Sequence, residues 1–284
     1  MNVLPFKIVK PEKNSLVFQI DNIHPFYDKL HQHEEIQISL VVAGQGTLIV
    51  GDTVNSFKEG DIFIIGSAIP HVFKSDIKAS ESSFMLTLFF TDTSFGKDFF
   101  ELEELQEVTS FFKRSKHGFK ITSKKKRASD VFFQLEKSSK LNRLILLLQL
   151  LKICANASYK SLSSFIDNKK YSDNEGNRMR TIFEYTMNNF TQKITLEDIS
   201  TIANMTKNAF CKYFKKRTNK TYFQFLMELR IENACKLLIS DKEASIANIA
   251  EQCGYYNISN FNRQFQILKQ QSPSEFKNSF SFRN

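Results

Sequence analysis

The sequence predicts an α+β chain of two domains, a β-rich N-terminal half followed by helices and then an all-helical C-terminal segment. Three observations predict it. Between Ile36 and Phe90, short runs of β-branched and aromatic residues alternate with glycine turns. From about residue 97 the apolar spacing changes to three and four, the period of a helix. Near the C-terminus stand two helix-turn-helix signatures in tandem, Thr195–Lys216 and Ile246–Phe265, separated by a long helical stretch.

The N-terminal strands are expected at Ile36–Val42, Gly46–Val50, Asp61–Ile65 and Phe84–Phe90, with turns at Ala43–Gly46, Gly51-Asp52, Lys58–Asp61 and Ala68–Pro70. Short strands joined by such turns suggest a small barrel or sandwich over residues 1 to about 92. Between 97 and about 166, Phe99, Leu102, Leu105 and Val108 share a helical stripe, and Leu141, Leu144, Ile145, Leu148, Leu151 and Ile153 form a broad apolar face. That face either packs on the sheet or forms a dimer seam. Residues 167–180 are polar and lack apolar period, as expected of a linker. The expected division is 1–166, a linker 167–180, and 181–284.

A chain of 284 residues with 42% hydrophobic content can build two cores, and its 29 Phe and absent Trp make phenylalanine the expected filler. The net charge is +9, and its placement is uneven. Of 39 Lys+Arg and 30 Asp+Glu, 16 and 9 fall in Arg178–Asn284, so an excess of seven sits on the segment with the tandem signatures. The cysteines at 154, 211, 235 and 253 have no paired spacing and read as reduced thiols. The N-terminus has no signal-peptide core, and the run Leu144–Leu151 is too short to span a bilayer, so a cytoplasmic protein with no membrane partner is expected.

Thr195 precedes a short amphipathic helix with Asp198 at the capping-box position, and Asn204 can take the left-handed turn that follows. Thr206 then opens a candidate recognition helix with Phe210, Tyr213 and Phe214 inward. Thr221–Gln224 is a capping box for a connector running to about Ser240. Nineteen residues at 1.5 Å each span roughly 28 Å, close to the ~34 Å between successive major grooves on one face of DNA. In the second unit Ser245 caps one helix, Gly254 supplies the turn, and Asn257 caps a second recognition helix with Phe261 and Phe265 inward. Ser272–Glu275, with Pro273 at the first helical position, opens a closing helix.

The outward residues of the two recognition helices are the candidate DNA contacts: Lys207, Asn208, Cys211, Lys212, Lys215 and Lys216 on the first, Ser259, Asn260, Asn262 and Arg263 on the second. Arg263 can donate two bonds to guanine O6 and N7, and Asn208 and Asn260 can pair bidentately with adenine. Lys212 can reach guanine or phosphate. Lys215, Lys216 and Arg217 fit phosphate contacts, which fix position but not sequence. Cys211 is small enough to allow close approach.

Residues 178–284 resemble the DNA-binding domain of the AraC/XylS family of bacterial transcription regulators, through Ile194–Ile199, Phe210–Lys216, Leu229–Leu238, Ile246–Tyr255 and Phe261–Phe265 with Ser272-Pro273. Asn219 and Gln271 stand where the family usually has glycine, and Tyr255 where it often has phenylalanine. His31, His33, Gln37, Gly60-Asp61 and Pro70-His71 resemble the cupin-like barrel that precedes the reader in many of these regulators. Metal-binding cupins carry a Glu where this chain has Gln37, so no metal or other cofactor is expected. His31, His33, Gln37 and His71 are instead candidates for a small organic effector, with a structural role for His71 as the plainer alternative. The resemblance further implies a homodimer through the helices between Gly96 and Ser164, double-stranded DNA as partner, and activation through RNA polymerase. The rival readings are a cupin metalloenzyme fused to a DNA-binding domain, which would need metal and turnover, and an architectural binder with little sequence preference. A redox role for Cys211 would need a resolving partner.

Overall fold

The computed structural model describes residues 15–77, 80–164 and 172–281. They form two compact units, Met1–Gly176 and Asn177–Asn284.

The first unit is two antiparallel sheets with helices on one outer face. Its strands are β1 (Val17–Asn22), β2 (Ile36–Ala43), β3 (Gly46–Val50), β4 (Thr53–Phe57), β5 (Ile62–Ile65), β6 (His71–Ser75), β7 (Phe84–Phe90), β8 (Phe119–Ile121) and β9 (Tyr159–Ser161). Helices α1 (Thr109–Ser115), α2 (Lys125–Leu135) and α3 (Lys140–Ala155) follow β7. The six-stranded sheet runs β1-β7-β2-β5-β8-β9, and the three-stranded sheet β4-β3-β6. All four expected strands are present, but β8 and β9 lie in a region expected to be wholly helical. Three residues are too few to impose a period of two on a window dominated by helices.

Strand alternation divides the core in two. Ile36, Ile38 and Leu40 of β2, Ile62 and Ile64 of β5, and Leu86, Leu88 and Phe90 of β7 meet the helices. Their neighbours Val41, Phe63, Ile65 and Met85 join Leu48, Phe57 and Phe73 in a second cluster. Helix α3 buries Leu146, Leu147, Leu150, Leu151 and Cys154. The expected stripe is therefore split: Leu151 is in the core, Leu144, Leu148 and Ile153 are partly buried, and Leu141 and Ile145 are exposed. Asp61, one residue past the Gly60 turn, accepts Nζ of Lys120 at 2.6 Å and of Lys125 at 2.8 Å, tying β5 to β8 and α2.

The second unit is all helical: α4 (Asp173–Asn189), α5 (Leu196–Ile202), α6 (Lys207–Thr218), α7 (Tyr222–Ser240), α8 (Ile246–Gln252), α9 (Ile258–Lys269) and α10 (Pro273–Ser281). The segment expected as linker is helical from Asp173, where α4 begins. Its residues 167–171 lie outside the described residues. The helix forms because Met179, Ile182 and Phe183 are buried at helical spacing. Every expected cap is formed. Thr195 and Thr221 close capping boxes with Asp198 and Gln224, and Ser272 closes one with Glu275. Thr206, Ser245 and Asn257 accept from the third helical N–H; such a cap contributes about 1 kcal/mol.

Phenylalanine fills both units, as expected: the largest fully buried side chains are all Phe. Burial pushes the Cys154 and Cys235 thiols up to about 12 and that of Cys253 to about 11, so they stay protonated and inert, while Cys211 is exposed. Among the described residues no helix is long and apolar enough to cross a membrane.

Candidate nucleic-acid interface and barrel pocket

Each recognition helix is set by its turn. Asn204, at φ 52°, and Gly254, at φ 79°, redirect the chain after α5 and α8. Gly254 is required by space as well as by φ, since a Cβ there would stand 2.8 Å from Thr191 O and 2.9 Å from Phe190 O. Arg230 of α7 braces the same corner. Its Nε donates to Phe190 O at 2.7 Å, its Nη2 to Gln192 O at 2.8 Å, and its guanidinium lies 5.6 Å from the Tyr255 ring centre. One side chain therefore holds the exit of α4 and the turn before α9. Arg230 falls within the Leu229–Leu238 run that carries the resemblance, but nothing in its local spacing announces this role.

On α6, Lys207, Asn208, Cys211, Lys212, Lys215 and Lys216 are all exposed, and Phe210 and Phe214 are fully buried. Tyr213 is half-buried rather than in the core, with the Arg178 guanidinium 5.7 Å from its ring. Arg217 departs from expectation. It is 4% exposed and cannot serve as a surface phosphate contact. It follows Phe210 and Phe214 at i+7 and i+3, on the inward face. Lys207 Nζ pairs with Glu197 Oε2 of α5.

On α9, Ser259, Asn262 and Arg263 are exposed and Asn260 is half-buried. Asn260 Oδ1 accepts from Arg263 Nη2 at 3.1 Å and from Gln264 Nε2 at 3.2 Å. Its amide oxygen is thus engaged within the helix, where it orients Arg263. Tyr256 and Ile258, not among the expected contacts, are also exposed on this unit, at 78% and 40%.

In the first unit the structure brings His31, His33, Gln37 and His71 together. His31 and His71 form a bridge in which each backbone N–H donates to the other's carbonyl, at 3.1 and 2.9 Å. His31 and His33, two apart, project to one side. Gln37 sits on the inner face of β2. The four border a cavity of about 190 Å³ that is also lined by Asp21, Tyr27, Phe73 and Phe89.

The ring nitrogens have defined protons. Nδ1 of His31, His33 and His71 lies 2.8, 2.9 and 2.8 Å from the carbonyls of Lys29, Glu35 and Ile69. A carbonyl only accepts, so each Nδ1 carries the hydrogen, and in a neutral ring Nε2 is an acceptor. The Nε2 atoms of His33 and His71 both stand 3.1 Å from the Gln37 side-chain amide. Gln37 Oε1 faces the two rings and its Nε2 donates to Ser39 Oγ at 2.7 Å. Because two acceptor nitrogens cannot bond an amide oxygen, the hydrogen-bond network assigns the flipped amide, with its NH₂ donating to the rings and its oxygen accepting from Ser39. Ser39 in turn lies 2.9 Å from Thr87 Oγ1 across the β2–β7 pair. Burial, then the neighbouring His31 and His33, holds the His71 pKa well below its usual value, so this ring is neutral near pH 7. The three histidines place one ligand nitrogen each within 4.8 Å of one another, a set with the softness for zinc or iron. A carboxylate at position 37 would complete such a set, whereas Gln37 can satisfy two of the rings without an ion.

A family model described as an AraC-like ligand binding domain matches residues 18–88, and one described as a helix-turn-helix domain matches 199–279. The chain is 23% identical over 264 residues to an uncharacterized HTH-type transcriptional regulator, YdeC, of Bacillus subtilis, covering 88% of this chain and 86% of that one. It is 26% identical over 259 residues to the HTH-type transcriptional activator RhaR of Mannheimia succiniciproducens, covering 88% and 87%. Among solved structures, a probable AraC family transcriptional regulator from Rhodopseudomonas palustris matches 37% of this chain and 97% of its own, at 23% identity and TM-score 0.35.

Proposed function

We propose that this chain, which belongs to the AraC/XylS family of DNA-binding transcription regulators, reads two successive major grooves of one duplex with α6 and α9 and answers to a small molecule held in the pocket of its first unit. The observation that carries the reading is the pair of capped recognition helices flanking α7. Its 19 residues span about the distance between neighbouring grooves. The excess positive charge of this segment, and the exposed lysines of α6, favour phosphate.

The pocket supports an effector that is small and amphipathic. Phe73 and Phe89 offer apolar walls, and Asp21 and the histidines offer polar anchors. Such a ligand regulates by binding one arrangement of the protein better than another. The exposed Leu141 and Ile145 of α3 and Phe133 of α2 fit the seam of a homodimer. Activation through RNA polymerase is the favoured direction of control. The carboxylate a cupin metalloenzyme would use is replaced by Gln37, which favours binding over catalysis.

The test is selection of bound sequences from a random DNA pool by the full protein and by Arg263→Ala, with and without candidate ligands. The expected outcome is a motif with two blocks about one turn apart. It should relax at one base on loss of Arg263, for a cost of about 1–3 kcal/mol. Enrichment of no sequence under any condition would reject the reading.

A further inference from the structure

The two reading units repeat each other, with one residue added in the second. Thr195 and Ser245 cap α5 and α8 fifty residues apart, and the turns at Asn204 and Gly254 keep that interval. The same hydrogen bond closes both turns: Met205 N–H donates to Ser200 O at 2.9 Å, and Tyr255 N–H to Ala250 O at 3.0 Å. The next residue after Met205 is the cap Thr206, but two residues lead from Tyr255 to the cap Asn257. From there the interval is fifty-one, through Asn219 and Gln270 to Thr221 and Ser272. Tyr256 is the added residue. It is also the most exposed large apolar side chain among the described residues, at 78%.

The same alignment sets the two reading faces side by side. Where α6 presents Lys207, Lys212, Lys215 and Lys216, α9 presents Ile258, Arg263, Gln266 and Ile267. One cation stands in place of four. Ile258 is the first residue of α9, 40% exposed, one turn before Asn262 on the same face. In helix-turn-helix readers the N-terminal residues of the recognition helix contact base edges. An apolar group there has one partner on a major-groove edge, the thymine C5-methyl.

We propose that Tyr256 and Ile258 read thymine methyl groups in the block that α9 contacts, and that α6 supplies most of the phosphate anchoring. This rests on the two-groove reading above. The added residue supplies a second apolar side chain ahead of the cap, where the first unit has none to spare. Ile258 occupies the position at which the first unit keeps a lysine.

The test starts from the duplex enriched by the wild-type protein, with the α9 block assigned by Arg263→Ala. Replacing thymine by uracil removes only the methyl. In the α9 block, uracil should weaken binding about fourfold per methyl contacted, the fold-change equivalent to about 0.8 kcal/mol for a buried CH₂-sized group. Tyr256→Ala and Ile258→Ala should each bind uracil and thymine duplexes more nearly alike, with the helical circular dichroism and the salt dependence of wild type. Tyr256→Phe should keep the thymine preference. Wild-type binding that is indifferent to uracil in the α9 block overturns the proposal. So does a Tyr256→Phe variant that binds weakly to thymine and uracil duplexes alike, since the hydroxyl would then be the contact. Enrichment of no duplex overturns the two-groove reading together with this one, whereas an enriched duplex with no methyl effect overturns this one alone.

Discussion

Asn219 and Gln270 hold the same place in successive reading units, each ending its recognition helix in the left-handed conformation, at φ 53° and 57°. The conformation costs an ordinary L-residue about 1–2 kcal/mol, and asparagine less. Gln270→Gly should therefore stabilise the helical unit by about 1 kcal/mol, a rise of several degrees in melting temperature for a domain of this size. Asn219→Gly should gain less. Thermal unfolding followed by circular dichroism checks the order of the two.

Gln37 differs from a carboxylate in donating hydrogen bonds to the rings it faces. Gln37→Glu should create affinity for zinc or cobalt, because it adds an anionic oxygen to three imidazoles already held by backbone carbonyls. Calorimetry with zinc, and the visible absorption of cobalt, would detect it. If the variant binds neither metal, the histidines are not arranged as a ligand set.

His71 imposes a pH dependence on the first unit. Its folded pKa lies well below 6.5, chiefly through burial and then through His31 and His33. The unfolded chain therefore takes up a proton at this site before the folded one does. Stability is full above the unfolded pKa and falls as the pH drops from about 6.5 toward the folded value. Denaturant unfolding at pH 7.5 and 5.5 should show the loss, and His71→Gln should reduce it.

Arg217 and its neighbours Lys215 and Lys216 should separate by assay. Lys215→Ala and Lys216→Ala should each lower the slope of log affinity against log salt by about one and weaken binding to all sequences alike. Arg217→Ala should leave the slope unchanged and cost about 1–3 kcal/mol of fold stability through lost packing of a buried stem.

The helical unit was the more legible half because its signals are local. A cap needs its own side chain and a partner three residues on, so Thr195, Thr206, Thr221, Ser245, Asn257 and Ser272 could be assigned from the chain alone. Gln270 shows the limit of that reading, since the left-handed residue falls one position before Gln271, where the resemblance places the family's glycine. Arg217 carries two opposed local signals. Its spacing from Phe210 and Phe214 marks it as inward, and its charge suggested phosphate. The Asn260 to Arg263 bond is likewise a three-residue relation on one helix face, concealed because both side chains also have partners on DNA bases. Arg230 was not legible, because it acts on carbonyls about forty residues away. In the first unit the resemblance grouped His31, His33, Gln37 and His71, but the link from Gln37 through Ser39 to Thr87 depends on the β2–β7 register, which local pattern does not specify.

The recurring caps and left-handed stops bound both recognition helices through bonds to the helices' own backbone and through φ alone. What each helix spells outward is therefore written in a different alphabet from what makes it start and end. Outward letters can be exchanged at little cost to folding, and a chain built this way can be retargeted to a new promoter by a few substitutions, one half of the word at a time.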